Sequence, residues 1–154
     1  MSVTLSVLFS STPGLSKTVL RYAVRSTING DVEMHIDTDS GKTRIKQETR
    51  KAGCMEIWDK SCFEEKNYES VLGKSKVKKL MESIKKNKIF SLKLDYIPQP
   101  SEDQYSIGLL KEGKKPQYVN CVQTKLDQNP GFKKAQQDLQ KIVDKMVNKK
   151  VGLK

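Results

Sequence analysis

Apolar and polar residues alternate from the start of the chain, and the period of that alternation changes along its length. "VTLSVLF" places Val3, Leu5, Val7 and Phe9 on one face, as a strand does. "TVLRYAVRSTI" and "VEMHID" flank Asn29-Gly30, the dipeptide best suited to a two-residue type I′ hairpin turn. In the second of these, Val32, Met34 and Ile36 alternate with Glu33, His35 and Asp37. "DTDSGK" supplies a further turn before "TRIKQETR". "CMEIWD" reads as one more short strand, with Trp58 anchoring one face of the sheet. The period then becomes helical. Val77, Leu80, Met81 and Ile84 recur at i, i+3, i+4 and i+7, with Ser75 as the expected N-cap. "IFSLKLDY" returns to period two, with Phe90, Leu92 and Leu94 on one face. "QYSIGLL" and "PQYVNCV" surround "KEGKK" as a second hairpin. "NPGFKKAQQDLQKIVDKMV" closes the chain as a helix capped by Asn129, with Pro130 at its first position. Its apolar stripe is Ala135, Leu139, Ile142 and Met146.

These elements predict an α+β fold: an antiparallel sheet, built as a meander of hairpins, with two amphipathic helices on one face. The expected order is four or five strands, a helix, three strands and a helix. "IPQPSED" is the longest irregular connection and is too short to divide the chain, so residues 1–148 are expected to form one domain. Residues 149–154 read as a frayed C-terminal tail. At 154 residues the chain is long enough to bury a core without staples. No apolar run approaches the roughly 20 residues that a membrane helix needs, so a folded soluble domain is expected. The first residues show no basic n-region and no targeting signal, which leans toward the cytoplasm. A chain whose leader had been removed would read the same and would be exported.

Charge changes the picture. The formal net charge is +11. Residues 1–73 are balanced, with ten basic and ten acidic side chains, and they hold all four arginines, Arg21, Arg25, Arg44 and Arg50. Residues 74–154 hold nineteen lysines against eight acids and account for the whole excess. On the first helix Lys78, Lys79, Lys85 and Lys86 fall opposite the apolar face, with Glu82 among them, and Lys76 lies one turn before. Lys133, Lys134 and Lys141 occupy the second helix. Any amphipathic helix needs such solvated residues. Were both helices to cover one face of the sheet, however, their lysines would merge into a single positive surface.

Catalytic chemistry finds little to work with. General acid–base or nucleophilic catalysis normally needs a histidine or an activated carboxylate pair, and the chain has one histidine, His35. Glu33, His35 and Asp37 share a strand face, where they could bind a divalent metal or tune the imidazole. Strand alternation alone also produces such a trio on a solvated face. Cys54 and Cys62 lack the CxxC partner and second histidine of a zinc site. GxxxxGK[ST] and GxGxxG are absent, and "DSGKT" at 39–43 sits in a hairpin. Cys54 and Cys62, eight positions apart, could close a small loop in an oxidising compartment. The simpler expectation is three reduced thiols, with Cys121 buried in a strand. No catalytic, metal or cofactor site is therefore expected, and the chain reads as non-enzymatic.

The segment from Ser75 to Val122 is a lysine-rich helix ending in "IF", then "SLKLDY", a loop with an acid, and a glycine-turned hairpin. It resembles small, uncharacterised β-rich domains often found in exported bacterial proteins. The earlier "GDVEMHID" and "CMEIWD" are similar to strands of the curved-sheet lipoprotein-carrier class. Each resemblance covers under half of the chain and implies a β-rich fold. Neither brings catalytic residues, and no lipidation cysteine lies near Met1.

Two functions fit. The first is a binding or interaction module for a protein or other macromolecular ligand. The sheet or its edge would be the contact surface, with Tyr68, Tyr96, Tyr105 and Tyr118 as interface aromatics. The alternative is non-specific binding of nucleic acid or another polyanion through the lysines named above. Arginine is missing from the basic half, and no strand carries the K/R-G-F-x-F pattern, which argues against sequence-specific readout.

Overall fold

The computed structural model describes residues 17–152 except 55, 57, 58, 95–98 and 100. The strand expected at Val3–Phe9, and Trp58 and Tyr96, lie outside the described residues. The elements are β1 (Thr18–Arg25), β2 (Val32–Asp37), β3 (Lys42–Arg50), β4 (Phe63–Val71), α1 (Lys74–Lys86), β5 (Gln104–Lys111), β6 (Gln117–Val122) and α2 (Pro130–Gly152). The six strands form one antiparallel sheet in the order β4-β3-β2-β1-β5-β6. Consecutive strands pair from β1 to β4, as a meander requires. After α1 the chain returns to the other side of β1, where Tyr22 stands opposite Ile107. The fold is α+β.

The core lies between the sheet and its two helices. Leu20, Tyr22, Met34, Ile36, Ile45 and Ile107 point inward from the strands, against Val77, Leu80 and Ile84 of α1 and Phe132, Leu139 and Val143 of α2. Both helices therefore cover the same face. Tyr22 ties the layers together. Its hydroxyl donates to Gln140 Oε1 at 2.8 Å and accepts from Gln136 Nε2 at 3.0 Å. Burial pushes its phenol well above the usual range, and such a buried hydroxyl needs partners of this kind.

Several expected elements take another form. The β1–β2 connection is a six-residue loop, not a two-residue turn. Asp31 Oδ1 accepts from the Ser26 amide and Gly30 N donates to Ser26 O, closing the base of the loop early. Gly30 sits at φ +92°, and a Cβ there would lie 2.3 Å from Glu48 O, so the position needs glycine. "CMEIWD" is not a strand: its described residues Cys54, Glu56 and Asp59 have no strand structure. The strand after β3 is instead "FEEKNYESV", whose solvent-facing glutamates hide its period. Of its residues only Tyr68 is buried. A disulfide joins Cys54 to Cys62 across the β3–β4 connection, in place of two reduced thiols. Cys121 is free and buried in β6, as expected.

In the predicted strand "IFSLKLDY", Ile89–Ser91 form a 3-10 turn and residues 92–94 have no strand structure, while Asp95 and Tyr96 lie outside the described residues. Phe90, Leu92 and Leu94 still pack against the core, so their alternation reflects burial without pairing. The described order is thus four strands, a helix, two strands and a helix. Helix α1 is capped by Gly73, and Ser75 lies inside it. Asn129 O accepts from Lys133 N at 2.9 Å, the first turn of α2 behind its cap. Helix α2 runs through Gly152, beyond the boundary expected at residue 148.

Candidate functional site

Because both helices lie on one face, their facing flanks enclose a groove of about 290 Å³. Lys76 and Lys79 of α1 line one side, and Lys141 and Lys145 of α2 line the other. Leu80 and Ile142 form the floor, with Asp138 at the margin. The helical period explains the arrangement. Lys76 and Lys79 are three positions apart and Lys141 and Lys145 four apart, so each pair occupies one flank beside a buried apolar residue. Their aliphatic stems can lie along the groove walls while the ammonium groups reach water. Asp138 is the one acid in the lining, and its Oδ1 already accepts from Lys134 Nζ at 3.0 Å. The four groove lysines make no ion pair with any described residue.

Of the lysines expected to form the positive surface, Lys76, Lys79 and Lys141 come together here. Lys78, Lys85 and Lys86 are exposed but lie outside the groove. Lys133 pairs with Asp127 and Lys134 with Asp138. Lys145 completes the groove without having been expected. Its sequence signal is its place one turn after Lys141.

The opposite face of the sheet is not covered by α1 or α2. Glu33, His35 and Asp37 project there but do not converge. Glu33 Oε1 accepts from Arg21 Nε at 3.2 Å and from His35 Nε2 at 3.0 Å. The hydrogen bond from Arg21 holds the Glu33 carboxyl below the usual range. Asp37 turns away to its own loop, accepting from the Asp39 and Ser40 amides at 2.9 and 3.1 Å. For His35, partial burial, together with Arg21 and Arg44, outweighs the pull of Glu33 and lowers its pKa. Among the described residues no group of three His, Cys, Asp or Glu is placed to hold a metal ion.

Strand register lines up a row across all six strands on this face: Glu69, Arg44, His35, Arg21, Gly108 and Tyr118. Tyr118 is 48% exposed, whereas Tyr68 and Tyr105 are buried in the core. All four arginines, Arg21 and Arg25 on β1 and Arg44 and Arg50 on β3, share the face because they occupy alternate positions on their strands.

The fold and groove thus define an α+β domain with a lysine-lined cleft between its paired helices. The chain matches no protein-family model, and no curated protein matches its sequence. Among the described residues no helix is long and apolar enough to cross a membrane.

Proposed function

We propose that the protein is a non-enzymatic binding module that holds a polyanion on its helix face. The observation that supports this is the meeting of Lys76, Lys79, Lys141 and Lys145 in one groove that offers a single, already engaged acid. Four like charges set together disfavour the free protein and are relieved by an anionic ligand. Lysine acts as a hydrated point charge and cannot make arginine's planar fork, so the groove reads charge and not sequence. A protein partner has less support, because the exposed large apolar residues among those described are dispersed: Val71 and Tyr118 lie on opposite edge strands and Ile28 in the β1–β2 loop.

The test is binding of labelled heparin and of a DNA duplex at low and near-physiological salt. Affinity should fall steeply with salt, with a log–log slope of roughly −3 to −4 for DNA if four phosphates are neutralised. Changing Lys76, Lys79, Lys141 and Lys145 together to Glu should abolish it. Binding that survives this change would refute the assignment of the groove.

A further inference from the structure

The open face of the sheet carries a second arrangement, built from residues the helix-face groove does not use. Tyr118 of β6 stands directly opposite Gly108 of β5. A Cβ at 108 would lie 2.5 Å from Cδ1 and Cε1 of the Tyr118 ring, so the ring lies across β5 in the space left by the absent side chain. On the far side of β5 the Arg21 guanidinium is 5.8 Å from the ring centroid, within the range of a cation–π contact. Glycine, tyrosine and arginine together hold a half-exposed aromatic ring along the sheet.

Beside this ring is a hollow of about 240 Å³, lined by Arg21, Arg25, Gln104, Ser106 and Asn120 above the small side chain of Ala23. Arg21 spends its Nε on Glu33, and its terminal nitrogens have no hydrogen-bond partner among the described residues. The Arg25, Gln104, Ser106 and Asn120 side chains likewise make no hydrogen bond to any described residue. The hollow therefore gathers two guanidinium groups, two amides and a hydroxyl, all with free donors. Ser106 and Gly108 are successive residues on one face of β5, about 7 Å apart along the strand, so the hollow adjoins the ring.

We propose that this face binds single-stranded nucleic acid, with an unpaired base stacked on Tyr118 and a neighbouring phosphate held by Arg21 and Arg25. A flat ring takes any base by its π face, and stacking of this kind is tolerant of sequence. Unpaired bases are also the part of a strand that protein sheets commonly receive. A duplex hides its base faces, and an acidic peptide would use the guanidinium groups but not the ring. The inference goes beyond the helix-face proposal and rests on different residues.

The experiment is anisotropy of labelled ten-residue oligo(dT), labelled heparin and labelled poly-glutamate at low and near-physiological salt. Tyr118→Ala should weaken oligo(dT) about tenfold or more, while Tyr118→Phe stays within about twofold and heparin binding is unchanged by either. Arg25→Gln should lower the salt slope for oligo(dT) by about one. Tyr118 is half exposed, so Tyr118→Ala can be compared as a folded protein, and Tyr118→Phe controls for any change in packing. The proposal is overturned if the protein does not bind oligo(dT) at low salt, or if Tyr118→Ala binds it as well as the parent does. It is also overturned if Tyr118→Ala weakens poly-glutamate as much as oligo(dT). Failure of the helix-face proposal looks different: the four-lysine variant would keep its heparin binding whatever Tyr118 does.

Discussion

Gly108 and Tyr118 face each other across β5 and β6, and the tyrosine ring occupies the space that a side chain at 108 would take. The obstruction is the ring of a half-exposed side chain, which can swing toward solvent. Gly108→Ala should therefore change stability by less than about 1 kcal/mol while lifting the ring from Arg21. Chemical shifts of the Tyr118 ring and the Arg21 guanidinium would report the separation. Unchanged shifts would mean that the ring does not depend on the glycine.

Tyr22 joins sheet and helix through Gln136 and Gln140. In Tyr22→Phe, the buried Gln136 amide loses its acceptor and Gln140 Oε1 loses its donor, at a cost of about 1–3 kcal/mol. Urea unfolding should show a lower midpoint with an unchanged slope, because the exposed surface area hardly changes. A variant as stable as the parent would show that these bonds contribute nothing net.

The Cys54–Cys62 disulfide closes a short loop between β3 and β4. On loop-closure entropy alone, Cys54→Ser should cost about 2–3 kcal/mol. The same loss should appear when the parent is unfolded in the presence of reductant. Under oxidising conditions an alkylating agent should label only Cys121, and only after unfolding, because that thiol is buried. Burial also raises its pKa, which keeps the reactive thiolate scarce.

His35 is the chain's one histidine, so a single imidazole resonance follows it. Its pKa is lowered by partial burial against Arg21 of β1 and Arg44 of β3, opposed by Glu33 of β2. A depressed pKa means that the unfolded chain takes the proton first as the pH falls. The contribution of His35 to stability is therefore present above its ordinary value of 6.5 and is lost as the pH drops through the lower folded value. Glu33, also depressed, adds a second loss below 4.5. The imidazole titration should have its midpoint below 6.5, and His35→Gln should flatten the stability profile just below that pH. A midpoint above 6.5 would mean that the Glu33 contact prevails.

Lys79 lines a groove with three other lysines and no unengaged acid. Lys79→Glu should leave Tm unchanged or raised at low salt, since it replaces repulsion with attraction across the groove. The same variant should bind heparin more weakly. A fall in both stability and binding would show that Lys79 matters for packing and would remove it from the binding surface.

Much of the architecture was legible in the sequence, because burial on one side of an element repeats with that element's own period. β1, β2, β3, β5 and β6 and both helices each carry such a stripe, and Asn129-Pro130 marks the start of α2. Period is a signal of burial, however, and not of hydrogen bonding. "IFSLKLDY" alternates because Phe90, Leu92 and Leu94 touch the core, yet none of its described residues pairs with a strand. The edge strand β4 pairs along its full length with β3, yet it buries little beyond Tyr68 and shows no stripe.

What each residue type could do was likewise settled by the chain: a lysine excess confined to one half, a single histidine and four arginines in the other half. Which of them meet was decided by the tertiary structure. Helical spacing places Lys76 beside Lys79 and Lys141 beside Lys145. Only the packing of α1 and α2 on one face turns two stripes into one groove. Register across β1, β5 and β6 brings Arg21 to Tyr118 although they lie 97 positions apart in the chain. Local periodicity records the face a side chain takes on its own element, and contacts between elements arise only when a shared core brings those faces together.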